Sequence, residues 1–121
     1  MKQILVVDDS AVIRKVARRI LERLHLDVRD AEDGAKALEA CAQRMPDAVL
    51  LDWSLGGTDG CDVLRCLRQM PEGARPKILC CLTEQDVAQI ARASRAGADD
   101  HMFKPFDRNA LRAKLEDVGL V

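Results

Sequence analysis

Two aliphatic runs, Ile4-Leu5-Val6-Val7 and Ala48-Val49-Leu50-Leu51, end directly in acid, at Asp8-Asp9 and at Asp52. Strands apolar at every position, not every second one, belong to parallel sheets covered by helices on both faces. A shorter run, Met102-Phe103, leads into Lys104-Pro105. Strand-like and helix-like segments alternate five times. Strands are expected near 3–8, 27–31, 48–51, 77–82 and 101–103. The first helix is expected near 11–24, with Ser10 as N-cap and Val12, Ile13, Val16, Ala17, Ile20, Leu21 and Leu24 at helical spacing. Gly34 opens the second helix and Pro46 stops it. Asp59 caps the third. The fourth runs near 86–96, ending at Gly97. Asp107 caps the fifth, and Gly119 ends it. The stretch Ser54-Leu55-Gly56-Gly57-Thr58 reads as a glycine-bearing loop. This rhythm predicts one α/β domain over residues 1–121: a doubly wound (βα)5, flavodoxin-like fold with a five-stranded parallel sheet of order 2-1-3-4-5.

Bulk properties remove several functions. A formal charge of −1 gives no global basic field for nucleic acid or membranes, so neither DNA nor membrane is an expected partner. No apolar stretch approaches the roughly 20 residues of a membrane span. Met1-Lys2-Gln3 lacks a signal-peptide layout, and a cytoplasmic location is expected. Of the five cysteines, none forms a C-x-x-C pair, and the odd count argues against a disulfide framework. They read as small buried hydrophobes, with redox sensing as the lesser alternative. On a strand, neighbouring Cys80 and Cys81 point to opposite faces.

In doubly wound sheets, ligands sit beyond the carboxyl ends of the strands, at the switch in strand order. Asp8, Asp9 and Asp52 should therefore meet there, with Lys104 nearby. Mg²⁺ takes an octahedron of oxygens, with one or two carboxylates, waters and a phosphate. Without a cation, three close carboxylates repel, and at least one pKa should rise. Lys104 can pair with a carboxylate and grip a phosphoryl oxygen, and Thr83, after the fourth strand, can add a hydroxyl donor.

Several motifs in order carry a resemblance across the whole chain. They are Val6-Val7-Asp8-Asp9-Ser10, Leu50-Leu51-Asp52-Trp53 with Asp59-Gly60, Thr83, Ala96-Gly97-Ala98-Asp99 and Lys104-Pro105-Phe106. Together they resemble a response-regulator receiver domain of the stand-alone, CheY-like kind. The resemblance implies a two-component phosphorelay protein and not a turnover enzyme. Asp52 matches the acceptor of a phosphoryl group from a histidine kinase or histidine phosphotransfer protein. Asp9 matches a direct Mg²⁺ ligand, Asp8 an acid acting through water, and the Ser54 backbone carbonyl a further ligand. Thr83 and Lys104 match the phosphoryl-binding residues, His101 the switch aromatic, and Lys104-Pro105 a bond that is usually cis.

The chain departs from that pattern at four places. Gly56-Gly57 replaces a common proline and should loosen the loop. Glu84 stands where a small residue is usual and is expected to slow phosphorylation by small anionic donors. His101 brings a titratable ring to the switch position. Ser54 and Gln85 flank the site where relatives tune the reset rate. Only two residues follow Gly119, so the expected output is a surface and not a second domain. It is assigned to the fourth helix, fifth strand and fifth helix, with Gln89, Arg92, Arg95, His101, Arg108 and Arg112 as a basic rim for an acidic target protein. The first helix, with Arg14, Arg18 and exposed apolar positions, would meet the phosphoryl donor. A monomer or weak dimer is expected. The alternatives are a receiver working without phosphorylation or holding a cyclic dinucleotide on its arginines, and an aspartyl-phosphate phosphatase. The phosphatase class wants an aspartate where this chain has Ser54.

Overall fold

A computed structural model describes residues 1–56, 58–83 and 86–121. The order is β1 (Gln3–Val7), α1 (Ala11–Arg23), β2 (Asp27–Ala31), α2 (Gly34–Gln43), β3 (Ala48–Asp52), β4 (Ser54–Leu55), β5 (Thr58–Asp59), α3 (Gly60–Gln69), β6 (Lys77–Leu82), α4 (Val87–Ala96), β7 (Asp100–Phe103) and α5 (Arg108–Asp117). The main sheet is parallel throughout, in the order β2-β1-β3-β6-β7. Counting only its five strands, this is the expected 2-1-3-4-5 order. The expected loop after Asp52 is instead a small antiparallel hairpin in which Ser54 pairs with Asp59 and Leu55 with Thr58. Leu55 is buried in the core and anchors strand β4 of this hairpin. The predicted effects of Gly57, Glu84 and Gln85 lie outside the described residues.

The unbroken apolar runs have a direct structural cause. Leu5, Val7, Val49, Leu51, Ile78 and Cys80 pack on one face with α2, α3 and α4 residues such as Ala37, Leu64 and Ala93. Ile4, Val6, Leu50, Leu79 and Cys81 pack on the other with Ala17 and Leu21 of α1 and Leu111 and Leu115 of α5. The covered positions of the central strands β1, β3 and β6 therefore need apolar side chains on both faces. Cys80 and Cys81 divide between the two cores as the strand period requires. Burial pushes the Cys80 thiol up to about 12 and raises Cys81 as well, so neither is a reactive thiolate at neutral pH. Cys66 is the exception to the buried-hydrophobe reading and is exposed.

The helix starts follow their caps. The Ser10 hydroxyl accepts from the Ile13 N–H, and Asp33, Asp59, Asp86 and Asp107 each cap the helix that follows. Gly97 closes α4 at φ 115°, in the left-handed region where a Cβ is strained. Among the described residues, no helix is long and apolar enough to cross a membrane.

Candidate functional site

The site lies at the carboxyl edge of the sheet, where β1 and β3 are neighbours and their following helices go to opposite faces. Val7 pairs with Leu51, so Asp8 and Asp52 emerge side by side. Carboxylate oxygens of Asp8, Asp9 and Asp52 lie within 4.8 Å of one another. Asp8 and Asp52 are each only 3% exposed, whereas Asp9 faces solvent. Asp8 Oδ1 accepts the Ser10 N–H at 2.9 Å, and Asp52 Oδ1 accepts the Ser54 N–H at 3.2 Å.

Lys104 reaches this cluster from the end of β7. Its Nζ lies 2.5 Å from Asp8 Oδ2 and 3.2 Å from Asp52 Oδ2. The Lys104–Pro105 peptide bond is cis. Burial opposes the Lys104 charge, but the carboxylates of Asp8 and Asp52 outweigh it and raise its pKa. The Asp52 carboxyl is also raised. Burial is the main cause; the Asp8 charge adds to it, while the Ser54 N–H and Lys104 oppose it. Carboxylate repulsion thus contributes, but desolvation leads.

Thr83 is exposed at the end of β6, at a junction between two openings. One, about 150 Å³, is also lined by Trp53, Ser54, Asp86 and Gln89. The other is an apolar groove of about 400 Å³ formed with Ile13, Val16, Lys104, Pro105 and Phe106. Lys104, Asp8, Asp9 and Asp52 therefore form one buried-to-open cluster, with Thr83 beside its entrance.

The basic-rim residues border more than one depression. His101 is half-buried on edge strand β7, with its ring edge-on to Phe103 at 5.4 Å. Its α5 neighbours in the adjoining groove are Ala110, Ala113, Lys114 and Asp117. Arg108 and Arg112 instead line a depression with Arg23, Leu24 and His25, at the end of α1. Inward Leu111 and Leu115 set the rotation of α5 and leave these arginines on the side away from His101. Of the expected rim of four arginines and Gln89 beside His101, Arg108 and Arg112 thus border a different depression from His101. Gln89 and Arg92 are engaged with Trp53 and Asp59, and Arg95 is exposed on α4.

Contacts that sequence reasoning missed surround the cluster. The Arg14 guanidinium donates to the Asp8 carbonyl at 2.7 Å and pairs with Asp30 at 3.3 Å. Trp53 Nε1 donates to Gln89 Oε1 at 2.9 Å. A lone buried indole N–H needs an acceptor, which was the one available signal for that contact.

The chain matches the family model of the response regulator receiver domain over residues 4–116. It belongs to that family. A chemotaxis protein CheY homolog of Campylobacter jejuni is 33% identical over 118 residues, spanning 96% of this chain and 91% of that protein. The structure of the Vibrio cholerae chemotaxis protein CheY4 superposes with a TM-score of 0.93 at 26% identity, covering 98% of both chains. A receiver domain from Bermanella marisrubri is 38% identical with a TM-score of 0.84, covering 95% of each chain. The chain is thus a CheY-like receiver domain of two-component signalling, and its acid cluster fits Mg²⁺ binding.

Proposed function

We propose that this receiver accepts a phosphoryl group on Asp52 from a histidine kinase or histidine phosphotransfer protein, and that the modification alters a protein-binding surface. One observation carries the reading. The buried Asp52 carboxylate shares a single lysine with buried Asp8, and a third carboxylate lies within 4.8 Å.

The donor set suits a hard divalent cation: oxygen ligands only, two of them desolvated, and fewer positive than negative charges. Asp8, Asp9 and Asp52 would hold Mg²⁺, with the Ser54 carbonyl as a further ligand by analogy with the family. When bound, Mg²⁺ would neutralise charge on the phosphoryl oxygens. The protein's own groups do the rest. Asp52 presents a carboxylate oxygen for in-line attack on phosphorus. The phosphorus–nitrogen bond to the donor histidine breaks, and that nitrogen leaves with the electron pair. Lys104, already between the two carboxylates, offers its ammonium to the transferred group, and Thr83 offers a hydroxyl donor from the entrance. The protein promotes only its own modification and reset.

The donor's docking site is assigned to α1. Val12 and Val16 are 70% and 47% exposed, and Val16 shares the groove with Pro105 and Phe106 beside Lys104. The target's site is assigned to α4, β7 and the Lys114 side of α5, with His101 as the switch residue.

Trp53, the only tryptophan, follows Asp52 directly and gives the test. Mg²⁺ and then beryllofluoride should each change its fluorescence. Asp52→Ala should abolish the second change. A wild-type protein silent in both steps, or a variant that responds like wild type, overturns the proposal.

A further inference from the structure

A closed circuit of contacts joins α4 to Asp52. Trp53 directly follows Asp52, and its indole donates to Gln89 at 2.9 Å. Arg92 donates to the same Gln89 oxygen at 3.2 Å and pairs with Asp59 at 2.9 Å. Asp59 is the backbone partner of Ser54 in the β4–β5 hairpin. The Ser54 N–H returns to the Asp52 carboxylate at 3.2 Å. The inner wall of the circuit is tight: a Cβ on Gly60 would sit 2.7 Å from Trp53 Cε3 and 3.0 Å from the Trp53 backbone. Trp53 is 7% exposed. The segment after Asp52 is therefore held on one side by packing and on the other by two polar side chains of α4.

We propose that Gln89 and Arg92 are positioning residues for the Asp52 site, acting through Trp53 and Asp59 to fix the hairpin that borders the acid cluster. The proposal rests on reading Asp8, Asp9 and Asp52 as a Mg²⁺ and phosphoryl site. It adds a connection to α4 that involves neither Thr83 nor His101. Coupling of this kind is reciprocal. A partner that draws Gln89 or Arg92 off the hairpin weakens ion binding at the cluster. A phosphoryl group that shifts Trp53 or Ser54 alters what α4 presents.

Electrostatics and tethering predict opposite signs, and this makes the proposal testable. Arg92 is a cation on the same end of the molecule as the acids. If it acted only by charge, Arg92→Ala would bind Mg²⁺ more tightly. If it acts as a tether, Arg92→Ala binds Mg²⁺ more weakly, by about two- to five-fold for a partly exposed pair. Calorimetric Mg²⁺ titrations of wild type, Gln89→Leu, Arg92→Ala, the double variant and Arg95→Ala decide between them. Each single variant in the circuit should lose affinity. The double variant should fall close to the singles and not to their product, because one break opens the circuit. Arg95→Ala reports the bare charge effect, and Arg92→Lys, which keeps a donor for Asp59, should recover part of the loss.

Trp53 emission is the second readout. Arg92→Ala leaves the indole and its acceptor in place, yet it should change the emission and the beryllofluoride response, because Gln89 is no longer held. If Arg92→Ala binds Mg²⁺ as tightly as wild type or more tightly, or Trp53 emission does not change, the positioning role is overturned while the Mg²⁺ site stands. If wild type shows no Mg²⁺ binding, the site reading fails, and the positioning role fails with it.

Discussion

The two ends of the parallel sheet treat their acids differently. At the amino edge three acids each have their own arginine: Asp47 with Arg75 at 2.9 Å, Asp99 with Arg68 at 3.0 Å and Asp27 with Arg44 at 3.7 Å. Two of them also finish the sheet, Asp47 taking the Gln3 N–H and Asp99 the Ile78 N–H. At the carboxyl edge, Asp8 and Asp52 share Lys104, and Asp9 lies in the same cluster. The first three acids are matched one-to-one with cations, whereas the cluster of three sets Asp8 and Asp52 on one lysine. An acid matched one-to-one is a structural part, whereas a cluster with surplus negative charge is built to receive a cation or a group that brings one.

The largest effect that sharpens this contrast comes from removing the cation at each end. Lys104→Met leaves two buried carboxylates without their partner. It should destabilise the protein by about 3 kcal/mol at neutral pH. Arg75→Ala, at a half-exposed pair, should cost below about 1 kcal/mol. Urea unfolding with and without Mg²⁺ separates the cases further. Mg²⁺ should restore part of the stability of the lysine variant and none of that of the arginine variant. Similar losses, or similar rescue, would erase the distinction between the edges.

The next effect is a difference in pH dependence between two acids of neighbouring turns. Burial raises the Asp52 carboxyl, so the folded chain holds that proton more tightly than the unfolded chain. Stability from this group falls as pH rises from the ordinary carboxylate range through the raised value. Asp52→Asn should therefore be more stable than wild type at neutral pH without metal, and the gain should vanish below the ordinary range. Asp59 is lowered, first by the Cys61 N–H and then by Arg92. Its contribution is present above the ordinary range and is lost as pH falls through the lowered value, so Asp59→Asn should lose stability at neutral pH. Mg²⁺ affinity should also begin to fall at a higher pH than an ordinary carboxylate would give, as Asp52 takes up its proton. Chemical unfolding from pH 3 to 8 checks both signs; the same sign for both variants would refute the assignment.

The contrast between the edges was only partly legible in the chain. The strands were, because covering both faces forces Ile4–Val7 and Ala48–Leu51 to be apolar at every position. The meeting of Asp8, Asp9 and Asp52 followed from strand order, since Asp8-Asp9 and Asp52 each follow an apolar strand core. The β4–β5 hairpin was not legible. Two glycines hide it, and its anchor is the single buried side chain of Leu55. The sidedness of α5 was not legible either. Leu111 and Leu115 mark its inward stripe, but no local pattern says that Arg108 and Arg112 flank α1 while Lys114 flanks β7. The Trp53–Gln89 contact spans 36 positions and has no periodic signature. Arg68 shows the same limit: one guanidinium bonds the Gly73, Pro76 and Gly97 carbonyls as well as Asp99, a convergence that only the tertiary fold creates.

The smallest effect concerns one glycine at each end. Gly97 has φ 115°, and a Cβ there would also sit 3.0 Å from the Arg68 side chain. Any replacement is strained, so Gly97→Ala should destabilise. Gly56 lies outside the left-handed region, follows a strand residue, and would place a Cβ 3.4 Å from Asp9 Oδ2, an ordinary contact. Residues before proline favour extended backbone, which Leu55 already has. Gly56→Pro should therefore be accepted, gain about 0.4–1 kcal/mol by restricting the unfolded chain, and tighten Mg²⁺ binding modestly by holding the hairpin beside Asp9. Calorimetry on Gly56→Pro measures this directly. If Mg²⁺ binds no more tightly, the hairpin is already held by Leu55 and the α4 side chains, and the glycine is not what limits the site.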